Sequence, residues 1–333
     1  MATMNATEIT ALAGAALQRA GTRPASAQSL ARAVAAAEMD GIRSHGLIYV
    51  PIYCEHVQCG KVNGGAVPEV HVSGTTAVNA DAGNGFAHPA IDAGFEALLP
   101  RAREHGVAAL SIRNSYNCGV LGYHVERLAE AGLVGMGFTN APASIAPVGG
   151  ARKVIGTNPF ALAAPDGDGG TAFVLDQSAS VVAKSEITLH AREGKPIPEG
   201  WAYDSDGNPT TDADAALKGT MAPAGGYKGF GTGLMVELFA AVLAGATLGK
   251  DASPFAGTAG GPPATGQFFI ALDPASFSGA GFAARMTDLA AAITAQPGAR
   301  LPGQRRAENR QRNMAAGGVA VDDALIARVQ AIN

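Results

Sequence analysis

Between Pro89 and Thr139 the sequence switches period three times. Pro89 to His105 carries a helical repeat, Val107 to Ile112 an apolar run, Val120 to Ala131 a second helical repeat, and Leu133 to Thr139 a second apolar run. Such alternation demands a layered α/β architecture, because apolar strands need covering and each helix must lay its apolar stripe on a sheet. The pattern continues on both sides. Val70 to Ser73 and Ala77 to Ala80 read as short strands joined by a Gly-Thr turn, and two strand candidates flank Gly156-Thr157-Asn158-Pro159. Thr171 to Leu175 is a further strand that delivers Asp176 to its end, and Gln267 to Leu272 is another.

The chain ends read differently. Ala6 to Asp40 is rich in alanine and leucine and predicts two helices, with Ser26 as an N-cap; Tyr49 to Gly60 predicts a helix closed by glycine. Gly229 to Ala246, Ala283 to Thr294 and Asp322 to Ile332 are also helical, while Gly194 to Thr211 reads as a long loop. Boundaries near Ser73 and Gly226 follow. Residues 1–73 and 227–333 are expected to form a mostly helical domain around an α/β domain of residues 74–226.

With 333 residues the chain can bury a core without covalent staples. Its net charge of −4 leaves no broad cationic footprint, so nucleic acid is not an expected partner. Leu234 to Leu248 is interrupted by Glu237 and is too short to span a bilayer, no secretory pattern opens the chain, and three cysteines suggest reduced thiols. A cytoplasmic enzyme that avoids membranes is the expectation.

A Rossmann domain should show G-x-G-x-x-G at its first strand-to-helix turn. The near match at Gly279 to Ala284 follows Ser276-Phe277-Ser278 rather than a strand, and Gly245 to Lys250 lacks the length and the Ser or Thr of a phosphate loop. No metal is expected. Cys54-Glu55-His56 with Cys59 reads as a buried thiol pair on an ordinary helix, and no Gly-x-Ser-x-Gly elbow exists.

Redox chemistry at a carbonyl or imine needs a proton donor titrating near neutrality, which histidine provides. His45 sits in Asp40-Gly41-Ile42-Arg43-Ser44-His45-Gly46, where glycines permit a sharp turn and Ser44 can hydrogen-bond nearby; taken alone, the segment is only a polar loop, and a lone histidine is more often structural. Gly225 to Gly231, containing Lys228, reads as a phosphate cradle or as a glycine linker entering a helix. Arg300, Arg305 and Arg306 surround a Pro-Gly turn, suited to forked phosphate contacts or to plain solvation.

Five ordered segments together resemble the malate/L-lactate dehydrogenase family of the non-Rossmann type. They are Ser44-His45-Gly46, Gly156-Thr157-Asn158-Pro159, Gly194 to Trp201, Gly226-Tyr227-Lys228-Gly229 and Leu301 to Arg306. The resemblance implies a mixed-sheet nucleotide-binding domain, a homodimer, and His45 as proton donor or acceptor supported by Ser44 and Asp176. It further implies that Asn117, Cys118, Gly119, Val120, Leu121, Gln177, Ser178, Lys228, Gly229, Leu301, Pro302, Gly303, Gln304, Arg305 and Arg306 hold the cofactor, NADPH, with NADH as the alternative. Asn114 to His124 and Asp176 to Glu186 are most similar to the branch that reduces Δ1-pyrroline-2-carboxylate and Δ1-piperideine-2-carboxylate; the alternative is a 2-hydroxy acid dehydrogenase acting on malate, lactate, sulfolactate or ureidoglycolate. One departure is local: many relatives carry an arginine four residues after the histidine, where this chain has Tyr49. Tyr49 and Thr157 are the expected substrate contacts.

Overall fold

The computed structural model describes all 333 residues. Strand β1 (Ala2–Met4) leads into α1 (Ala6–Arg19), α2 (Pro24–Met39), α3 (Val50–Gln58), β2 (Glu69–Ser73), β3 (Ala77–Gly85), α4 (Ala87–His105), β4 (Val107–Ser115), α5 (Leu121–Glu130) and β5 (Val134–Thr139). Then come β6 (Phe160–Pro165), β7 (Thr171–Gln177), α6 (Lys184–Arg192), β8 (Ala202–Tyr203), β9 (Pro209–Thr210), α7 (Ala213–Lys218), β10 (Thr220–Met221) and α8 (Tyr227–Glu237). A π-helical turn, Leu238–Leu243, extends α8, and β11 (Thr265–Leu272), α9 (Ala275–Ser278), α10 (Phe282–Thr294), α11 (Gln304–Ala315), β12 (Val319–Val321) and α12 (Asp323–Gln330) complete the chain.

Local signals explain the first two helices. Asn5 and Glu8 form a reciprocal capping box at the start of α1 (Asn5 Oδ1 accepts from Glu8 N at 3.0 Å, Glu8 Oε2 from Asn5 N at 2.8 Å). For α2 the expected Ser26 cap is corrected: the helix begins at Pro24, whose fixed φ and missing N–H suit a first helical position, so Ser26 lies inside the first turn and is buried. The two ends of the chain meet where β1 pairs antiparallel with β12.

Seven strands form one mixed sheet in the order β2-β3-β4-β11-β5-β6-β7, with β3–β4 parallel and the other pairings antiparallel. This is the expected non-Rossmann α/β class, because a Rossmann sheet requires parallel strands on either side of its switch point. The strand β11 lies outside residues 74–226, yet it occupies the middle of the sheet, so strand membership does not follow the expected partition there. β2, at residues 69–73, also joins this sheet as its edge.

Phe269 of β11 is fully buried, edge-on to Phe95 of α4 at 5.2 Å and to His124 of α5 at 6.1 Å. On the opposite face Phe268 meets Phe239, which stacks on Phe138 at 4.8 Å. Phe269→Ala would leave a cavity at this junction and is expected to cost about 3–5 kcal/mol, read as a lower urea midpoint at unchanged slope; a loss under about 1 kcal/mol would show that the junction collapses to fill the space.

Other sequence expectations need correction. The strand expected before Gly156 is reduced to a bridge between Ile145 and Ile155, because the backbone at Gly156 packs directly on Ala141. Cys59 caps the end of α3 and is exposed while Cys54 is buried, so the two do not form a buried pair. The Gly194–Thr211 loop contains the β8–β9 hairpin. No helix is long and apolar enough to cross a membrane.

Candidate active site

His45 lies between α2 and α3 on the first of two consecutive 3₁₀ turns, Arg43–His45 and Leu47–Tyr49, which meet at Gly46. Glu38 of α2 holds this turn: its buried carboxylate accepts from Leu47 N at 2.7 Å. A Cβ on Gly46 would overlap that carboxylate, so glycine is required there by close approach rather than by backbone angle. Burial raises the Glu38 carboxyl above the usual range, opposed by the Leu47 N–H and by Arg43. Around the histidine, Ser44 Oγ lies 3.0 Å from Nδ1, and the Tyr49 ring runs parallel to the imidazole with centroids 6.4 Å apart and planes 7° apart. Tyr49 in turn tilts against Tyr53 at 4.7 Å.

Asp176, near the end of β7, faces the same space. Its Oδ2 accepts from Gly122 N in the first turn of α5 at 2.9 Å and from Arg306 Nη2 of α11 at 3.1 Å. A carboxylate at a helix N-terminus is favoured by the helix dipole and by the unsatisfied first-turn N–H groups. Three influences set the proton affinity of His45. Burial pulls it below the ordinary histidine value, Asp176 pulls it up, and Arg306 pushes it down.

The segment 117–121 forms the turn into α5. Asn117 Oδ1 accepts from Gly119 N and from the Tyr53 hydroxyl, each at 3.2 Å, and Gly119 has a φ of +66°. The Cys118 carbonyl accepts from His124 Nε2 at 2.9 Å. Cys118 and Leu121 are buried, and burial pushes the Cys118 thiol up to about 12, so it stays protonated and chemically quiet. Val120 is half-buried at the N-cap position of α5. These backbones face the turn; the Cys118 and Leu121 side chains belong to the core.

The remaining sequence candidates are spread over other elements. Gln177 is exposed, Ser178 Oγ is 2.9 Å from Ser180 Oγ, and the half-buried Thr157 gives its carbonyl to Ala179 N at 2.8 Å. Lys228 is exposed in the first turn of α8, beside a buried Gly229 whose backbone packs on Ala224. Leu301, Pro302 and Gly303 form the turn into α11: Pro302 O accepts from Val174 N at 3.1 Å, Gly303 has a φ of +81°, and Gln304 Oε1 accepts from Leu301 N at 3.2 Å. Arg305 is exposed, whereas Arg306 is committed to Asp176. None of Thr157, Ser178 and Lys228 hydrogen-bonds to the His45–Asp176 group.

Residues that sequence reading passed over complete the geometry. Arg310 of α11 makes forked contacts to Asp40 at 2.7 and 2.9 Å and to Glu126 of α5 at 2.9 and 2.8 Å. Asn309 and Asn313 donate to the carbonyls of Asp40 and Met39 at 3.0 and 2.7 Å. The spacing Arg306, Asn309, Arg310, Asn313 is one helical face, a signal present in the sequence but polar throughout.

Taken together, the turn presents an imidazole with one ring nitrogen held by a serine, a fixed carboxylate opposite, and an aromatic wall beside it. Such a group can accept or deliver one proton. Residues 4–330 match the sequence model described as malate/L-lactate dehydrogenase. The chain is 46% identical to a (2R)-3-sulfolactate dehydrogenase (NADP(+)) of Chromohalobacter salexigens, over 90% of this chain and 89% of that one. It is 40% identical to a Δ1-pyrroline-2-carboxylate reductase of Ancylobacter novellus, over 95% and 93% respectively. The crystal structure of Δ1-piperideine-2-carboxylate reductase from Pseudomonas syringae pv. tomato superposes with a TM-score of 0.94 at 36% identity, covering 100% of both chains.

Proposed function

Because the chain belongs to the malate/L-lactate dehydrogenase family, and so is an NAD(P)-dependent oxidoreductase, we propose that it reduces the C=N bond of a cyclic imine 2-carboxylate with NADPH. The substrates are Δ1-pyrroline-2-carboxylate, giving L-proline, and Δ1-piperideine-2-carboxylate, giving L-pipecolate. One observation carries this choice. Where the family resemblance puts an arginine, the site has the Tyr49 ring lying parallel to His45, and Tyr53 behind it. An aromatic wall offers apolar contact to a flat five- or six-membered ring, whereas an open-chain dianion gains most from a forked cation.

The residues present fit a dinucleotide. Glycine-bearing turns precede α5 and α8, and Lys228 and Arg305 are exposed, with neither in an ion pair. Asn117–Leu121, Gln177, Ser178, Lys228, Gly229 and Leu301–Arg306 are the proposed contacts. The nicotinamide supplies the hydride that goes to the imine carbon. The protein's own part is the proton: Ser44 engages Nδ1, leaving Nε2 of His45 to exchange a proton with the substrate nitrogen, and Asp176 stabilises the imidazolium. Thr157 and its neighbouring backbone are proposed for the carboxylate.

A second reading, oxidation of a 2-hydroxy acid such as malate, lactate, sulfolactate or ureidoglycolate, is favoured by the 46% identity to a sulfolactate dehydrogenase. It would use the same histidine on oxygen instead of nitrogen. Purified protein offered Δ1-pyrroline-2-carboxylate, Δ1-piperideine-2-carboxylate, pyruvate and oxaloacetate with NADPH separates the two. The cyclic imines should be reduced with a kcat/KM roughly tenfold or more above the oxo acids; oxidation of NADPH by the oxo acids alone would assign the second reading.

A homodimer in the cytoplasm is also proposed. Leu234, Met235, Leu238, Val242 and Leu243 are exposed along α8 and its π-helical extension, a continuous apolar stripe of the kind that subunit interfaces cover. The three thiols are unpaired, as suits a reducing compartment.

A further inference from the structure

We propose that Arg306 acts on the proton-handling centre through Asp176: paired with that carboxylate at the first turn of α5, its guanidinium offsets part of the negative charge that faces His45. This rests on the reading of His45 as the proton donor, but the geometry stands apart from any substrate. Asp176 Oδ2 takes two donors at once, Gly122 N at 2.9 Å and Arg306 Nη2 at 3.1 Å. A Cβ on Gly122 would lie 2.5 Å from Arg306 Nη1 and 2.9 Å from Asp176 Oδ2, so the bare glycine is what lets the pair settle on the helix end. The Asp176 and Arg306 side chains are 12% and 27% exposed, a setting in which the pair is screened less than a surface salt bridge.

Arg306 is itself held. Three residues further along the same face of α11, Asn309 bonds the Asp40 carbonyl, and Arg310 grips the Asp40 carboxylate just ahead of the His45 turn. The helix therefore ties both partners, the turn that bears His45 and the strand end that bears Asp176, to one rigid element. A direct charge contact between His45 and Arg306 would be repulsive. Through its ion pair with Asp176 the guanidinium neutralises part of the carboxylate, and the imidazole experiences the difference.

The charged groups that bear on His45 are Asp176 from β7 and Arg306 from α11. On its remaining sides it has Ser44 and the Tyr49 ring; Glu38 of α2 is engaged with Leu47 N one turn away and is influenced by Arg43. Asp176 raises the proton affinity of His45 and Arg306 lowers it, so the two substitutions must act in opposite directions.

The test is a titration of the His45 imidazole by ¹⁵N NMR in the full chain without substrate or cofactor, its resonance assigned by loss in His45→Gln. In Arg306→Gln the midpoint should move upward, in Asp176→Asn downward, and Arg306→Lys should restore most of the wild-type value. An unchanged midpoint in Arg306→Gln, with thermal unfolding showing the variant folded, would overturn the proposal and leave Arg306 as a cofactor contact alone. Should Arg306→Gln fail to fold, Arg306→Lys and Asp176→Asn decide it: a normal midpoint in Asp176→Asn contradicts the proposal. Because no turnover is read, failure here is distinct from failure of the imine-reductase assignment, which the substrate comparison reads.

Discussion

His45→Ala is expected to lower kcat for imine reduction by about a hundredfold or more, the usual loss when a positioned general acid is removed. The site offers no substitute. Ser44 is a weak acid engaged with the ring, Cys118 is buried with its thiol pushed up to about 12, and burial raises Tyr49 above its ordinary range. The fold should survive, since His45 sits half-buried on a short turn whose anchor is the neighbouring Glu38–Leu47 contact. Steady-state rates with thermal unfolding as control check this, and near-normal turnover in a folded variant would remove His45 from the mechanism. The wild-type profile carries a sign as well. Because burial holds the His45 pKa below its ordinary value of about 6.5, the protonated donor is present at low pH and lost as pH rises through that depressed midpoint. The kcat/KM for reduction in the free enzyme should therefore fall on the acid side of neutrality, and the reverse oxidation should rise through the same midpoint.

Gly46→Ala should be the most damaging single-methyl change near the site. The added carbon overlaps the Glu38 carboxylate, which is buried and bonded to Leu47 N. Either the turn shifts or Glu38 releases its partner, leaving a buried carboxylate without its donor. Overpacking together with loss of a charge-assisted hydrogen bond amounts to about 2–5 kcal/mol, and His45, one residue away, loses its placement with it. Chemical denaturation measures the stability loss and kcat the displacement. Glu38→Ala in the same chain should recover part of the stability by opening space, a coupling that a double-mutant cycle detects. Equal losses in the single and double variants would show that the damage comes from the backbone and not from the contact.

The sequence was most legible where its period was strongest. The helix-strand alternation from Pro89 to Thr139 appears as α4, β4, α5 and β5 with boundaries shifted by one or two residues, except that β4 runs three residues past Ile112. The start of α2 differs from the expected Ser26 cap because Pro24 outcompetes Ser26 as a start signal. Insertion of β11 between β4 and β5 was not legible, since strand order depends on pairing across more than a hundred residues and leaves no local mark. Nor was α11 legible as a helix. It buries no residue, so it shows no apolar stripe, and its face of Arg306, Asn309, Arg310 and Asn313 reads as solvated charge until its partners are seen. The same reason separates the two halves of the site: His45 and Asp176 were visible as a turn and a strand end, while the arginine between α11 and Asp176 required the tertiary structure. In sequence Tyr49 is only a departure from an expected arginine; in the structure it is the ring lying parallel to His45.

Product analysis decides between imine reduction and 2-hydroxy acid oxidation. Wild-type protein incubated with Δ1-pyrroline-2-carboxylate and limiting NADPH should yield one equivalent of L-proline for each NADPH oxidised, separated on a chiral column, and His45→Gln should yield almost none in the same time. Unchanged imine and NADPH in the wild-type reaction, with NADP(+) reduced when sulfolactate is supplied instead, would contradict the imine-reductase assignment and transfer the same site to 2-hydroxy acid oxidation.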